Sequence, residues 1–568
     1  MNVSHATADD EVASSRGVRL SSIALILLAG LVSFPMLLIR LDARYLWQDE
    51  AMTAVLGDRL IRLGKPFAYD GHNLLTVDIQ NPEEEEVFEA QTVSAEKALE
   101  YFKKRGDFKS DTSWTGHPWG QFLLSGISTH FLGKTTFAAR LPFVIAAVLT
   151  IMLLTEWIEK VFKNHSMTVI AVLLILGNVF WFVHMRQCRY YALSSLFVLM
   201  SMRCYWSWLE GRLWGVIGMI VSTVLLFNSD FGTYWPLMLA LFAYAWIDRS
   251  KSPLAIMTVF TITGLAALPF FFFYDIQREI FDRMKSSTFS LHLRFLGEVF
   301  QINQYVLPFL IIAAAIYLMP KRSDLSFRPQ RRVLEPVLLF AALLLIVQSL
   351  VIPFPFHRYI VSLTPLATIV VAWTLVTGAG WLTKNRMSSR ALAFAGALIL
   401  IVSPILSSPV SAFLPATIQP RRGNGLLLRP ELEYLRAELF GTKLIDPNRA
   451  TIEYLRKRMK PGDEVLINYE EMPAMFYLDA NVLGGSCCFR VGERTGPPPR
   501  FVVIRKSAPF HPYQWKVIKK FLDKCRPKQI KAGIPDTRWG NCPDPLINYI
   551  ELGPPTEEAL VYETTFWK

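Results

Sequence analysis

Residues 20–41 read LSSIALILLAGLVSFPMLLIRL, and a few residues later the chain reads Leu46-Trp47-Gln48-Asp49-Glu50-Ala51. About 20 apolar residues suffice to cross a bilayer, so the carboxylate pair emerges just outside the hydrocarbon. There it is placed to meet a substrate whose tail lies in lipid and whose head lies in water. The same acids also suit a plain helix start, where they complement the macrodipole and cap free N–H groups. The run is longer than the apolar core of a signal peptide, and no small-residue cleavage site precedes Arg44, so it is expected to remain as an anchor behind a polar cytoplasmic tail, 1–19.

The composition widens that reading to the whole chain. With 568 residues, 52% hydrophobic, 13% aromatic and a mean hydropathy of +0.30, the protein is too apolar for an ordinary soluble one, yet it ends in a long polar stretch. The expected fold is a polytopic α-helical membrane domain, 20–410, followed by a mixed α/β domain, 421–568. About eleven spans are expected: 20–41, 139–160, 166–184, 190–209, 213–229, 231–247, 254–274, 303–319, 334–352, 358–378 and 391–409.

Charge orients them. Lys160 and Lys163, then Arg212, then Arg249 and Lys251, then Lys321, Arg322, Arg328, Arg331 and Arg332, then Lys384, Arg386 and Arg390 occupy every second connection. A Lys and Arg excess marks cytoplasmic loops. The alternate connections, the large loop 42–138 and the C-terminal domain are therefore expected on the extracytoplasmic face, in a bacterial inner membrane.

Within 42–138, Ala51, Val55, Leu56, Leu60 and Leu63 recur at helical spacing before Gly64 and Pro66, predicting an amphipathic helix along the membrane surface. The acidic run 83–86 would attract a divalent cation, although a solvated loop is the commoner fate of such a run. Gly116-His117-Pro118-Trp119 leads into an apolar stretch, 118–133, read as a partly inserted helix because a full crossing would invert every later loop.

Two later outer connections carry cations. Arg186-Gln187-Cys188-Arg189-Tyr190-Tyr191 offers guanidiniums at i and i+3, which share a face in a helical turn and suit phosphate by their planar fork. Snorkelling to lipid headgroups is the alternative. Pro353-Phe354-Pro355-Phe356-His357-Arg358-Tyr359 again sets His and Arg before a span, although a lone His such as His357 is more often simply an interfacial residue.

Together, Asp49-Glu50, His117-Pro118 before Phe131-Leu132-Gly133, Ala139-Arg140-Leu141-Pro142, the stretch from Arg186 to Leu193, and His357-Arg358-Tyr359 resemble the GT-C glycosyltransferases. Within them the likeness is to the protein O-mannosyltransferase and lipid A aminoarabinose transferase group. It covers about residues 20–410. The resemblance implies sugar transfer from a polyprenyl-phosphate donor on the outer face, with Asp49 as the matching catalytic carboxylate and Glu50 as its neighbour. Two departures stand out. The aminoarabinose transferases carry Lys-Pro where this chain has His117-Pro118, and an acid in the loop where it has Arg186 and Arg189, so the sugar and the acceptor do not carry over.

The chemistry can also be argued from the residues. A polyprenyl phosphate leaves already ionised, so the reaction needs a base on the acceptor hydroxyl and cations on the departing phosphate. Glycosidases differ, because both of their carboxyls act at the anomeric centre. Neighbouring helical residues diverge by about 100°, which assigns Asp49 as base and Glu50 to acceptor binding, a supporting contact or a metal. Arg186, Arg189, Tyr190 and Arg358 are the candidates for the donor phosphate, and His117, His357 and Tyr359 for substrate contacts. The acceptor is a lipid, glycan or protein hydroxyl. No Gly-rich nucleotide loop or zinc-ligand spacing occurs, so neither a nucleotide-sugar donor nor nucleic acid is expected.

In 421–568, a stripe of Ile452, Leu455 and Met459 ends at Pro461-Gly462. Val465-Leu466-Ile467 and Phe501-Val502-Val503-Ile504 read as buried strands, with a helix over 513–523. Cys487, Cys488, Cys525 and Cys542 allow three disulfide pairings in an oxidising compartment. Two rivals stand beside the enzyme. A transporter or flippase of lipid-linked sugar would place charge at mid-membrane and show internal repeats, and here the spans are nearly free of charge. An assembly protein working through its soluble domain is the other.

Overall fold

The computed structural model describes residues 8–75, 111–274, 276, 328–351, 357–383, 385–403, 429, 431–441, 444–484, 497–508, 511–537, 540–542 and 557–564. The expected span 303–319, the acidic run 83–86, Cys487 and Cys488 lie outside them. In chain order the described helices are α1 (Ala8–Leu38), α2 (Gln48–Leu63), α3 (Gly120–Leu132), α4 (Thr136–Phe162), α5 (His165–Leu176), α6 (Val179–Met185), α7 (Tyr191–Leu209), α8 (Leu213–Phe227), α9 (Phe231–Asp248), α10 (Pro253–Phe273), α11 (Arg328–Val351), α12 (Thr364–Leu382), α13 (Arg386–Val402), α14 (Glu431–Phe440), α15 (Pro447–Arg456), α16 (Glu471–Tyr477) and α17 (His511–Lys524). A 3-10 helix, His357–Leu363, leads into α12. Every expected span except 303–319 falls wholly or partly on one of these. Among the described residues, four stretches are long and apolar enough to cross a membrane, or five if α5 and α6, bent by 70° at their break, count as one.

The chain forms two compact units, each assembled from separate stretches: Met1–Ile39, Val144–Met185 and Tyr191–Leu432 in the first, Arg40–Phe143, Arg186–Tyr190 and Glu433–Lys568 in the second.

In the first unit, the two alternating sets of connections gather separately. Arg332, at the start of α11, pairs with Asp248 at the end of α9 (3.1 Å) and with Glu210 just past α7 (2.7 Å). Arg203, late in α7, pairs with Glu156, late in α4 (2.8 Å). Ser22, where the apolar part of α1 (Ser21–Leu38) begins, donates to Glu159 (3.3 Å), which also meets His165 (2.8 Å). These are the ends where the basic loops are expected. At the other ends Asp230, between α8 and α9, accepts from Ser194 at the start of α7 (2.8 Å) and from Thr233 (2.6 Å), and Thr233 lies 3.5 Å from Ser362 of the 3-10 helix.

The second unit contains a five-stranded sheet in the order β2-β1-β3-β7-β4, where β1 is Glu464–Ile467, β2 Asn481–Gly484, β3 Phe501–Ile504, β4 Lys528–Ile530 and β7 Leu560–Glu563. Strands β5 (Pro535–Asp536) and β6 (Glu557–Glu558) form a separate short pair. β1, β2 and β3 run parallel, while β7 is antiparallel to β3 and β4. Both faces are covered, as continuous apolar strands require: Val465, Ile467 and Val503 pack with Leu455 on one side, Leu466, Val502 and Ile504 with Ile518 and Phe521 on the other.

The same unit holds α2 and α3. Helix α2 stops where expected, at Gly64 in the left-handed region (φ 80°). It is not amphipathic in its first two turns, where Glu50 through Gly57 are all buried. The reason is a backbone-to-backbone crossing with α3: a Cβ on Gly57 would stand 2.6 Å from the Phe122 carbonyl oxygen, and one on Gly126 only 2.3 Å from that of Gly57. Helix α3 leaves Leu123, Ile127, Phe131 and Leu132 exposed, an apolar edge suited to a lipid interface.

Candidate active site

The stretch 46–51 forms the entry to α2, with Trp47 extended before the first turn. Asp49 and Glu50 leave the helix in different directions, as adjacent helical residues must, and their surroundings are unlike.

Glu50 points inward and is 0% exposed. Its carboxylate accepts from Arg140 Nε at 2.8 Å, Arg140 Nη2 at 2.6 Å, the Cys188 main-chain N–H at 2.7 Å and the Trp47 main-chain N–H at 3.4 Å. Arg140 Nη1 also donates to the carbonyls of Leu41 (2.8 Å) and Arg44 (3.2 Å). A buried ion pair persists only when its remaining hydrogen-bonding capacity is met in this way. Of the roles expected of Glu50, this geometry fits the supporting contact and leaves no open face for an acceptor or an ion.

Asp49 is 25% exposed, with Arg189 Nη2 3.7 Å from its carboxylate. Arg189 Nη1 donates to the Asp49 carbonyl (3.3 Å) and to Thr53 Oγ1 (3.3 Å), fixing the guanidinium against the first turn of α2. Tyr190 lies under that guanidinium, 5.5 Å from ring centroid to Cζ. His117 completes the group, its Nε2 3.5 Å from Arg189 Nη2. Trp114 Nε1 donates to His117 Nδ1 (3.2 Å). An indole N–H can only donate, so Nδ1 is the acceptor in that bond.

Arg186 and Arg189 do not share a face. Residues 186–190 form turns and bends rather than a helical turn, so the i, i+3 geometry does not arise. Arg186 is buried and faces Glu438 of α14 at 3.7 Å instead. Cys188 between them contributes its main-chain N–H; burial pushes its thiol well above the ordinary range, which leaves it protonated at neutral pH. His357, Arg358 and Tyr359 belong to the first unit, on the 3-10 helix, with the Arg358 guanidinium 5.9 Å from the Tyr359 ring centroid. Among the described residues, no three His, Cys, Asp or Glu side chains converge as a metal site.

Sequence reasoning gave no role to Arg140, Thr53, Trp114 or the Cys188 N–H. Arg140 was within reach, since an arginine opening an apolar span calls for a partner. A main-chain donor carries no side-chain signature.

No family model matches this chain, and neither does any curated protein. Among solved structures similar to it are two crystal structures of ArnT from Cupriavidus metallidurans. The apo state is 13% identical with a TM-score of 0.48, and covers 86% of this chain and 93% of that one. The structure bound to undecaprenyl phosphate has the same identity and coverage with a TM-score of 0.47.

Proposed function

We propose that this protein is an integral membrane glycosyltransferase that moves a sugar from a polyprenyl-phosphate donor to a hydroxyl of a lipid, glycan or protein on the extracytoplasmic face. The observation that carries the reading is the contrast within one turn of α2: Glu50 is buried and saturated with donors, while Asp49 is partly open beside Arg189, with His117 next to that arginine. In the proposed step Asp49 takes the proton of the acceptor hydroxyl, the acceptor oxygen bonds to the anomeric carbon, and the bond from that carbon to the phosphate oxygen breaks. The pair of electrons leaves with the polyprenyl phosphate, whose charge Arg189 receives, with His117 beside it. Arg358, Tyr359, His357 and Arg186 remain candidates for holding the rest of the donor. The domain at 421–568 is proposed to lie outside with Asp49; the separate gathering of the two sets of connections supports that alternation.

Asp49→Asn tests the base. The amide keeps the volume and caps a helix nearly as well, but it cannot take a proton. Release of polyprenyl phosphate from a labelled donor, with membrane extract as acceptor, should fall by roughly 10²–10⁴-fold while donor binding and melting temperature persist. Near-normal release would remove Asp49 from the chemistry, and donor crossing liposomes without release in the wild type would favour the flippase.

A further inference from the structure

The backbone just before Asp49 is held along its length by the C-terminal domain, all within the second unit. Asp446 accepts from the Tyr45 N–H (2.9 Å) and also caps α15 through the Arg449 N–H (2.8 Å). Asn541 Nδ2 donates to the Tyr45 carbonyl (2.8 Å) and to Asp446 (2.7 Å). Tyr477 Oη accepts from the Leu46 N–H (3.2 Å), and Asn448 Nδ2 donates to the Leu46 carbonyl (2.9 Å). Gln48 Oε1 accepts from the Met472 N–H (3.3 Å). The Tyr45 ring stacks on Tyr477 with centroids 4.2 Å apart. Both main-chain groups of Tyr45 and of Leu46 thus bond to side chains some 400 residues or more further along.

Behind these contacts lies Glu470, which is buried and accepts from the Asn541 main-chain N–H at 3.1 and 3.2 Å. Its backbone sits in the left-handed region (φ 61°), uncommon for a residue with a side chain. Gly540 is packed so closely that any Cβ there would overlap the Glu470 carboxylate. Such an outlier persists only where its surroundings hold it in place.

We propose that Asn448, Asn541, Asp446 and Tyr477 are positioning residues for the Asp49 turn, so that the C-terminal domain is a working part of the active site. The inference rests on the base role proposed for Asp49. Catalysis by a positioned group is sensitive to misplacement of about 1 Å. A stretch tied at Tyr45, Leu46 and Gln48 on one side, and by Arg140 at Leu41 and Arg44 on the other, presents Asp49 at a fixed angle.

The test uses the full-length protein in lipid nanodiscs and two variants. Tyr477→Phe removes only the hydroxyl that receives the Leu46 N–H and contacts Thr136 (2.6 Å). Asn448→Ala removes the donor to the Leu46 carbonyl. Two quantities are read: amide hydrogen exchange of the peptide spanning 43–49, and kcat and KM for release of polyprenyl phosphate, with Asp49→Asn in parallel. We expect faster exchange in 43–49 for both variants, with kcat lowered about tenfold and the donor KM within about twofold of wild type. A merely structural role would lower melting temperature and yield without changing kcat per folded molecule. Unchanged exchange in Tyr477→Phe, or faster exchange with unchanged kcat, overturns the proposal. If Asp49→Asn retains full activity, the base assignment fails instead, and a kcat loss in the two variants would then tie the clamp to another group on the same turn.

Discussion

Two buried glutamates in this protein face two buried arginines, and their environments differ. Glu50 takes Nη2 and Nε of the Arg140 guanidinium at 2.6 and 2.8 Å, plus two main-chain N–H groups. Glu470 meets Arg505 at only 3.5 Å, because that arginine is turned towards Asp536 at 2.8 Å. Burial consequently dominates at Glu470 and pushes its carboxyl up to about 7, with Arg505 opposing only in part. Sharing one cation between two acids leaves the more distant one close to neutral, whereas a cation devoted to one acid gives a closed pair. The second arrangement suits a fixed brace, the first a group whose charge follows pH.

The strongest way to break the comparison is Arg140→Ala. It strands Glu50 without its main partner and should cost about 3–5 kcal/mol, seen as a large drop in melting temperature and poor recovery of folded protein from membranes. A small effect would mean that water reaches Glu50 and that the pair is not a brace.

The Glu470 side is tested by pH. Its folded-state value lies above the ordinary 4.5, so the folded protein holds this proton more tightly than the unfolded chain. Its contribution to stability is therefore fully present at low pH and is lost as pH rises from about 4.5 to about 7, by roughly 3 kcal/mol. Glu470→Gln should flatten that part of the curve of melting temperature against pH. Asp536→Asn, by returning Arg505 to Glu470, should move the decline to lower pH. Arg44 and the Asn448 side chain act on the same group, and Asp536 acts on it through Arg505; a decline left in place by both variants would assign it to other residues.

The mildest change sharpens the Glu50 side. Cys188 gives Glu50 a main-chain N–H, while its own thiol donates to Ser125 Oγ (3.2 Å). Cys188→Ala should cost about 1 kcal/mol, the loss of one small buried group, with activity retained. A loss as large as that of Arg140→Ala would show that the thiol matters to the brace.

Much of this was legible in the sequence. Apolar runs located helices that the structure confirms, because a bilayer-length stretch leaves the chain few choices. The strands Val465-Leu466-Ile467 and Phe501-Val502-Val503-Ile504 were equally plain, since runs buried on both faces need no alternation. The divergence of Asp49 from Glu50 followed from helical geometry. What stayed hidden depended on tertiary approach. Helical spacing in 51–63 suggested a surface helix, and the Gly57–Gly126 crossing buried it instead. Arg186 and Arg189 looked like a matched pair, yet without a helical turn each took its own partner. Nothing local could announce that Asn448 and Asn541 hold Tyr45 and Leu46.

That last feature has a consequence in time. The hydrogen bond from Asn541 to the Tyr45 carbonyl joins residues 496 positions apart. At roughly 5–20 residues per second of synthesis, the first apolar segment is made about half a minute to a minute and a half before the side chain that fixes the turn behind it. A nascent chain already anchored in the membrane carries Asp49 throughout that interval without the set of contacts that orients it. The turn that carries Asp49 is thereby completed among the last parts of the protein, although its residues are among the first to be translated.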